Sequence, residues 1–272
     1  MTRDLSVPPD PITPRTDPVT PRTPLRVANP TPVQPAYRRM ARFGGWLLRR
    51  LTGQDWDDAA NLPRTGGVIA VSNHISNFDP PALCHYVVWH GRWPRALGKS
   101  DLWKLPVIGW LARATGQIPV ERGTDRAKDA LVHAREALEA GELVVIYPEG
   151  TITADPGTWP MTPRPGTARL ALSTGYPVVP IGQWGANFVM PGKKPVWPRF
   201  RPRRTMVFRT GAPVDLSDLV GRDDAEAVAE AGARIMAGIT ALVEEIRGEQ
   251  APADVYDIRV GHRVPRTRPD EA

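Results

Sequence analysis

Short apolar runs alternate with helical patterns from residue 67 onward. Runs bounded by glycine or proline predict β-strands, whereas stretches with apolar residues every three or four positions predict α-helices. The alternation of the two is typical of an α/β protein with a single domain and a mostly parallel central sheet flanked by helices. The predicted strands are residues 67–72, 95–99, 117–120, 143–147, 178–183 and 205–209. The predicted helices are residues 80–90, 124–140, 166–174 and 223–247.

Residues 37–53 have the pattern of a basic amphipathic helix that precedes this domain core. A basic face with Trp46 at its border suits the headgroup layer of an anionic membrane. A first helix that packs on the core with a solvated arginine face has the same periodicity, so both interpretations stay open. At 100° per residue one side carries Met40, Phe43, Leu47, Leu48 and Leu51, and the other carries Arg38, Arg39, Arg42, Arg49 and Arg50.

The two ends of the chain differ from the middle in composition. Residues 1–36 are rich in proline, threonine and arginine, offer little to bury, and predict a disordered arm. Residues 251–272 are polar and predict a loose C-terminal tail. The folded domain is therefore expected over residues 37–250.

Composition narrows the classes of function. A net charge of +6 indicates an anionic partner, which is a nucleic acid, an anionic lipid or a phosphorylated substrate. The single cysteine, Cys84, excludes an internal disulfide and favours a reducing compartment. No run approaches the roughly 20 consecutive apolar residues that span a bilayer, so we expect a peripheral protein without a transmembrane segment.

The segment 71–81, VSNHISNFDPP, follows a predicted strand and precedes a predicted helix. Asp79 before Pro80 is typical of a helix start, with Asp79 as the N-cap. From there the Asp79 carboxylate can reach one ring nitrogen of His74 and leave the other free as a general base. The alternative is that His74 only caps a loop and Asp79 only caps a helix. Asn73 and Ser76 beside the pair favour the catalytic interpretation, and we expect both to contact the substrate.

Two further segments carry candidate ligands for a phosphorylated substrate. Arg122 ends a predicted strand just before a helix, where a guanidinium and the helix dipole together suit a phosphate. Glu149, Gly150 and Thr151 follow the strand 143–147, at the carboxyl edge where α/β proteins bind ligands. Gly150 permits close approach of a ligand and Thr151 can donate a hydrogen bond. Because Glu149 would repel a phosphate, we expect it to orient Arg122 or a glycerol hydroxyl.

Four segments, taken in order, resemble the glycerolipid acyltransferase family, and most closely its 1-acylglycerol-3-phosphate acyltransferases. That family shows N-H-x-S-x-x-D, G-x-I-x-V-x-R, F-P-E-G-T-R-S and V-P-[VI]-x-P-[VI]. This chain has NHISNFD at 73–79, GQIPVER at 116–122, YPEGTIT at 147–153 and YPVVPI at 176–181.

The resemblance implies a reaction and its partners. His74 would deprotonate the hydroxyl of a lysophospholipid, and Asp79 would orient the imidazole. The resulting oxygen would attack the thioester of acyl-CoA or acyl carrier protein, giving phosphatidic acid from 1-acylglycerol-3-phosphate. Arg122, Glu149, Gly150 and Thr151 would hold the glycerol phosphate, without a cofactor or metal. The expected location is the cytoplasmic face of the cell membrane, bound to its anionic surface.

One departure from the family pattern bears on the acceptor. The arginine expected after E-G-T is Ile152 here, and the serine is Thr153. Either Arg164 or Arg169 replaces the missing phosphate ligand, or the acceptor is another lyso-lipid or a glycolipid.

Two other classes of function agree with part of the sequence. A metal-dependent hydrolase would use His74 and Asp79 as ligands, but the remaining histidines show no second cluster at metal spacing. A nucleic-acid-binding protein would account for the charge, but no known nucleic-acid motif is present, so we expect no such partner.

Two further segments each have more than one interpretation. The apolar residues 102–111 face the acyl chain, the bilayer or the core. The basic residues 192–204 attract phosphates or form a solvated loop.

Overall fold

A seven-stranded sheet forms the centre of the protein in a computed structural model, which describes residues 20–121, 127–194 and 196–266. The strand order is β1-β7-β6-β2-β5-β3-β4, and all neighbours are parallel except β6 and β7. A single domain with a mostly parallel sheet is thus confirmed. The strands are β1 Thr52–Trp56, β2 Val68–Ser72, β3 Pro94–Lys99, β4 Ile118–Val120, β5 Leu143–Ile146, β6 Val178–Trp184 and β7 Arg204–Thr210.

Strands β2 and β5 lie side by side in the middle of the sheet and are buried along their whole length. Their sequences, VIAVS and LVVI, lack the polar alternation of a half-exposed strand because helices cover both faces. The six predicted strands all form, with ends within one residue of the prediction. The sequence did not reveal β1, whose residues TGQDW carry no apolar run.

Helices pack on both faces of the sheet. Helices α5, α6 and α8 bury their apolar residues on one face, and α2 and α3 cover the other. The helix predicted at 124–140 is described only from Ala127, since residues 122–126 lie outside the described part of the chain. The helices are α1 Leu25–Ala28, α2 Pro35–Leu51, α3 Asp79–Trp89, α4 Pro106–Ala114, α5 Ala127–Glu139, α6 Pro165–Thr174, α7 Ala186–Val189 and α8 Ala225–Arg247.

Helix α2 does not bury the whole of its apolar side against the protein. Tyr37, Gly45 and Leu48 face the protein. Phe43 and Trp46, by contrast, are 64% and 52% exposed. Helix α2 approaches α3 closely at Gly45, which has no side chain, and the bulky Phe43 and Trp46 remain at the surface.

Residues 102–111 include the end of a 3-10 helix, Ser100–Lys104, and most of α4. The interpretation that this segment packs in the core is wrong for most of its length, since its large apolar side chains lie at the surface. Among the described residues, no helix is both long and apolar enough to cross a membrane. The exposed side chains are Leu102, Leu105, Val107, Ile108 and Trp110.

Both chain ends contain structure that the composition did not predict. Within residues 20–36, α1 buries Leu25 and Ala28 against α3, so disorder does not extend to residue 36. The preceding residues 1–19 lie outside the described chain. Near the C-terminus, β8 Asp254–Asp257 and β9 His262–Pro265 form a hairpin. Arg263 of that hairpin forms an ion pair with buried Asp155, with Nε 2.8 Å from Oδ2.

Adjacent glycines in α2 give a test of the α2–α3 packing. A methyl group at Gly45 would overlap the ring of Trp89, whereas nothing lies within 4 Å of the same position at Gly44. We expect Gly45→Ala to lower the free energy of unfolding by about 1–3 kcal/mol through overpacking. Gly44→Ala should raise it by up to about 1 kcal/mol because alanine favours helix. Urea unfolding of both variants measures this, and a stabilising Gly45→Ala would contradict the packing.

Candidate active site

His74 and Asp79 meet at the carboxyl edge of the sheet, in the loop between β2 and α3. The imidazole Nδ1 of His74 lies 2.8 Å from Asp79 Oδ2. Asp79 is fully buried, while the His74 side chain retains 12% of its exposure. The pairing predicted from the sequence therefore forms, and it leaves Nε2 as the ring nitrogen without a hydrogen bond among the described residues.

One oxygen of Asp79 organises the whole loop. Asp79 Oδ2 also accepts hydrogen bonds from the backbone N–H groups of Ile75 and Ser76, at 2.6 and 2.8 Å. Burial raises the pKa of Asp79, and the hydrogen bonds from His74 and from the two backbone groups oppose that rise. Helix α3 begins at Asp79 itself, one residue earlier than predicted, with Phe78 as the N-cap.

The position of His74 is fixed on three further sides. Its backbone N–H donates to Glu149 Oε1 at 2.8 Å, and its carbonyl accepts from the N–H of Thr153 at 2.7 Å. The imidazole stacks on the ring of Tyr147, with centroids 4.2 Å apart and planes inclined by 16°. Sequence analysis missed Tyr147, because an aromatic residue at the end of a strand carries no signal for stacking.

Glu149 has a different position from the one expected. It is 1% exposed, and its second oxygen, Oε2, accepts the backbone N–H of Met161 at 3.0 Å. Burial raises the pKa of Glu149 to about 8, although its two backbone hydrogen bonds oppose the rise. The expectation that Glu149 orients a glycerol hydroxyl is replaced by a structural role, in which it ties the loop after β5 to the backbone of His74.

Asn73 and Ser76 are also fully buried, and the structure gives them framework contacts in place of substrate contacts. The Asn73 side chain exchanges hydrogen bonds with the backbone of Gln183, at 3.0 and 2.9 Å, which fastens β2 to β6. Ser76 Oγ donates to the carbonyl of Met190 at 2.8 Å and accepts from the N–H of Phe78 at 2.9 Å. Both residues hold the loop that carries His74.

Gly150 and Thr151 are the accessible members of the 147–153 segment. Gly150 has φ of +68°, a left-handed conformation that glycine adopts without strain. Arg164 packs directly over it: a Cβ at Gly150 would lie 3.0 Å from Arg164 Cγ. Arg164 is exposed and directly precedes α6. Arg169 lies more than one helical turn further along, so Arg164 is the arginine that the fold brings to Gly150.

Residues 190–194 and 196–203 belong to a basic segment that meets the His74 loop where Ser76 pairs with Pro191 and Gly192. Asn77 Nδ2 donates to the carbonyl of Lys193 at 3.3 Å, and the charge of Lys193 opposes the rise that burial causes in the pKa of Glu149. The side chain of Trp197 in this basic segment is 92% exposed. Arg122, the other predicted phosphate ligand, lies outside the described residues.

Most of the residues described above lie in a segment that matches a known protein family. The Acyltransferase family model matches residues 56–184, which include His74, Asp79 and the segment 147–153.

Residues 56–184 form an acyltransferase domain.

Relatives of this acyltransferase domain come from plants and bacteria. The chain is 33% identical over 133 residues to 1-acyl-sn-glycerol-3-phosphate acyltransferase BAT2, chloroplastic, of Brassica napus, a match to 48% of this chain and 37% of that protein. It is 28% identical over 123 residues to the lyso-ornithine lipid O-acyltransferase of Pseudomonas aeruginosa, covering 44% and 45% of the two chains. The chain thus spans less than half the length of either relative.

The fold of the domain also matches a solved structure. The crystal structure of the 1-acyl-sn-glycerophosphate (LPA) acyltransferase PlsC from Thermotoga maritima superimposes with a TM-score of 0.59 at 22% identity. The match covers 79% of this chain and 81% of that one. It confirms the fold well beyond residues 56–184.

Buried Glu149 makes the stability of the acyltransferase domain depend on pH. Because its pKa in the folded state, about 8, lies above the ordinary glutamate value of 4.5, the folded state between these pH values holds a proton that the unfolded state has released. The free energy of unfolding should therefore fall as pH rises from about 4.5 to about 8. Glu149→Gln, which cannot titrate, should show a smaller fall. Urea unfolding at several pH values measures the difference, and parallel curves would contradict it.

Proposed function

We propose that this protein transfers a fatty acyl group from an acyl thioester to the hydroxyl of 1-acylglycerol-3-phosphate, making phosphatidic acid. The observation that carries the proposal is the His74–Asp79 hydrogen bond of 2.8 Å at the edge of an acyltransferase domain. The names of the plant relatives support this acceptor. Acyl-CoA and acyl carrier protein are both suitable donors, since each presents a thioester.

The reaction uses the free nitrogen of His74. Nε2 takes the proton of the acceptor hydroxyl while its oxygen attacks the thioester carbonyl carbon. The tetrahedral intermediate then collapses, the carbon–sulfur bond breaks, and the imidazolium returns its proton to the leaving thiolate. Asp79 keeps Nδ1 protonated and stabilises the positive charge that develops on the ring. No covalent acyl-enzyme is required.

The acceptor phosphate binds beside Gly150. Here Arg164 replaces the arginine that Ile152 removes from the motif, because Ile152 is buried and Arg164 reaches Gly150 from the start of α6. The N-terminus of α6 adds backbone dipoles that favour an anion. Thr151, whose hydroxyl has no hydrogen bond among the described residues, supplies a further donor.

The exposed apolar side chains define the surface that contacts the membrane. Helix α2 ends, and α4 follows, at the same sheet edge that carries His74, since β1 begins and β3 ends there. Phe43, Trp46, Val107 and Trp110 on these helices would enter the headgroup layer beside the basic face of α2. Because the cytoplasmic leaflet is anionic, we place the enzyme on the cytoplasmic face of the cell membrane as a peripheral protein.

Thiol release from oleoyl-CoA, with lysophosphatidic acid as acceptor, tests the proposed reaction. His74→Ala should lower turnover by about 10²–10⁴-fold because it removes the general base. Asp79→Asn should lower turnover by a smaller factor than His74→Ala, since His74 remains as the base although its ring is no longer oriented.

His133→Ala is the matched control, because His133 is an exposed histidine on α5 that pairs only with Glu136. It should keep full turnover. A loss below about tenfold for His74→Ala would show that His74 is not the base. If thiol release depends on His74 only with a different lyso-lipid, that lyso-lipid is the acceptor and the proposed role of His74 still holds.

Arg164→Gln should raise the KM for lysophosphatidic acid by about tenfold, since it removes a charged hydrogen bond to the phosphate. Turnover at saturating acceptor should change little. Arg169→Gln removes the same charge from an exposed position on the same helix and should leave the KM unchanged. Steady-state kinetics with the acceptor varied measures both, and equal effects of the two variants would contradict a specific role for Arg164.

A further inference from the structure

A cavity of about 570 Å³ lies where β1 and β7 begin, and arginine side chains from three separate parts of the chain line it. Arg22 comes from the segment before α1, Arg49 from the last turn of α2, and Arg203 from the basic segment before β7. No lining residue is acidic. The other lining residues are Thr20, Pro21, Gly53, Gln54 and Thr205.

Arg203 and Arg49 are both held by neutral groups. Arg203 Nη2 donates to the carbonyl oxygens of Arg49 and Thr52, at 2.6 and 2.8 Å. The Arg49 guanidinium lies 4.9 Å from the ring centroid of Trp89, and its Nη1 lies 3.4 Å from His85 Nε2. Burial and the charge of Arg49 lower the pKa of His85 to about 3, so that ring is neutral and accepts the hydrogen bond.

None of the three arginines forms an ion pair within residues 20–121, 127–194 and 196–266. Burial lowers the pKa of Arg49, because the charged guanidinium is partly removed from water. The guanidinium groups of Arg49 and Arg203 are fixed by one nitrogen each, so their other N–H groups remain available. Three such groups around an empty volume offer several charged donors to one ligand.

The segment that carries Arg22 is firmly attached to the domain. Trp89 Nε1 donates to the carbonyl of Thr23 at 2.9 Å, and Leu25 and Ala28 pack in a buried cluster with Trp89 and Val88. The Arg22 side chain itself is exposed. Residues 20–28 therefore bring a third cation to the cavity on a backbone segment that is attached to the domain.

The cavity opens at the same edge of the sheet as His74. Thr52 pairs with Arg204 at the start of β1 and β7, and β7 runs antiparallel to β6, whose last residue is Trp184. Since β6 is parallel to β2, its end lies at the end of β2 that leads to His74. Adjacent strands are about 4.8 Å apart, so the cavity lies about 10–15 Å from the His74 loop along this edge.

We propose that this cavity is a second anion site, which binds a phosphate group of a ligand lying along the edge of the sheet. Its volume accommodates a phosphate together with part of the molecule that carries it. Two molecules could supply this phosphate group. One is CoA, through its diphosphate or its ribose phosphate, and the other is an anionic phospholipid of the membrane, through its headgroup. The site is separate from the acceptor site beside Gly150.

Arg22→Gln tests the site without disturbing the fold, because the Arg22 side chain is exposed and forms no hydrogen bond or ion pair among the described residues. Arg26→Gln is the control: it removes the same charge from an exposed residue of the same segment, outside the cavity. Calorimetric titration with CoA and with inorganic pyrophosphate tests the first source. Co-sedimentation with phosphatidylcholine vesicles, with and without phosphatidylglycerol, tests the second.

We expect Arg22→Gln to weaken binding of at least one probe by about tenfold and Arg26→Gln to leave it unchanged. Weaker binding of CoA and pyrophosphate identifies the donor as the ligand, and weaker binding of anionic vesicles alone identifies the lipid headgroup. Equal losses in both variants, no loss in either, or no binding of any probe by the wild-type protein would overturn the proposal. None of these assays requires acyl transfer, so the site and the proposed reaction can fail separately.

Discussion

The structure of the active site depends on one oxygen atom, Oδ2 of Asp79. It is fully buried and accepts N–H groups from the His74 ring and from the backbone of Ile75 and Ser76. A carboxylate with this many donors stays in place while the imidazole gains and loses a proton. The same residue begins α3, so the orientation of the His74 imidazole is coupled to the packing of that helix on the sheet.

The neighbouring strand supplies the second constraint. Strands β2 and β5 are adjacent, so segments 75 residues apart meet at one edge of the sheet. Glu149 then bonds the backbone of His74, and Tyr147 supports its ring. Beyond this rigid centre lie the parts that would meet substrates: Gly150 beneath Arg164, the basic segment with Trp197, and the apolar surface of α2 and α4. Asp79 and Glu149 are buried, whereas the candidate contacts for lipid and phosphate are at the surface.

Much of the fold could be predicted because strands such as β2 and β5 are continuous apolar runs with sharp ends. The His74–Asp79 pair was predictable for a similar reason, since both residues lie in one short loop. The roles of Asn73, Ser76 and Glu149 were not, because their partners are backbone groups at distant positions such as Gln183 and Met161. Periodicity left the orientation of α2 open, because the buried side of that helix is set by the fit of Gly45 against Trp89, which only tertiary packing determines.

The central claim is that Asp79 holds His74 as the Nδ1–H tautomer with Nε2 free to act as the base. Nitrogen-15 NMR of the imidazole tests this directly, with the His74 signals assigned by their loss in a His74 variant. The account predicts a protonated Nδ1 and an unprotonated Nε2 in the neutral ring, with that preference lost in Asp79→Asn. A ring protonated at Nε2, or a tautomer that does not respond to Asp79, would contradict the account.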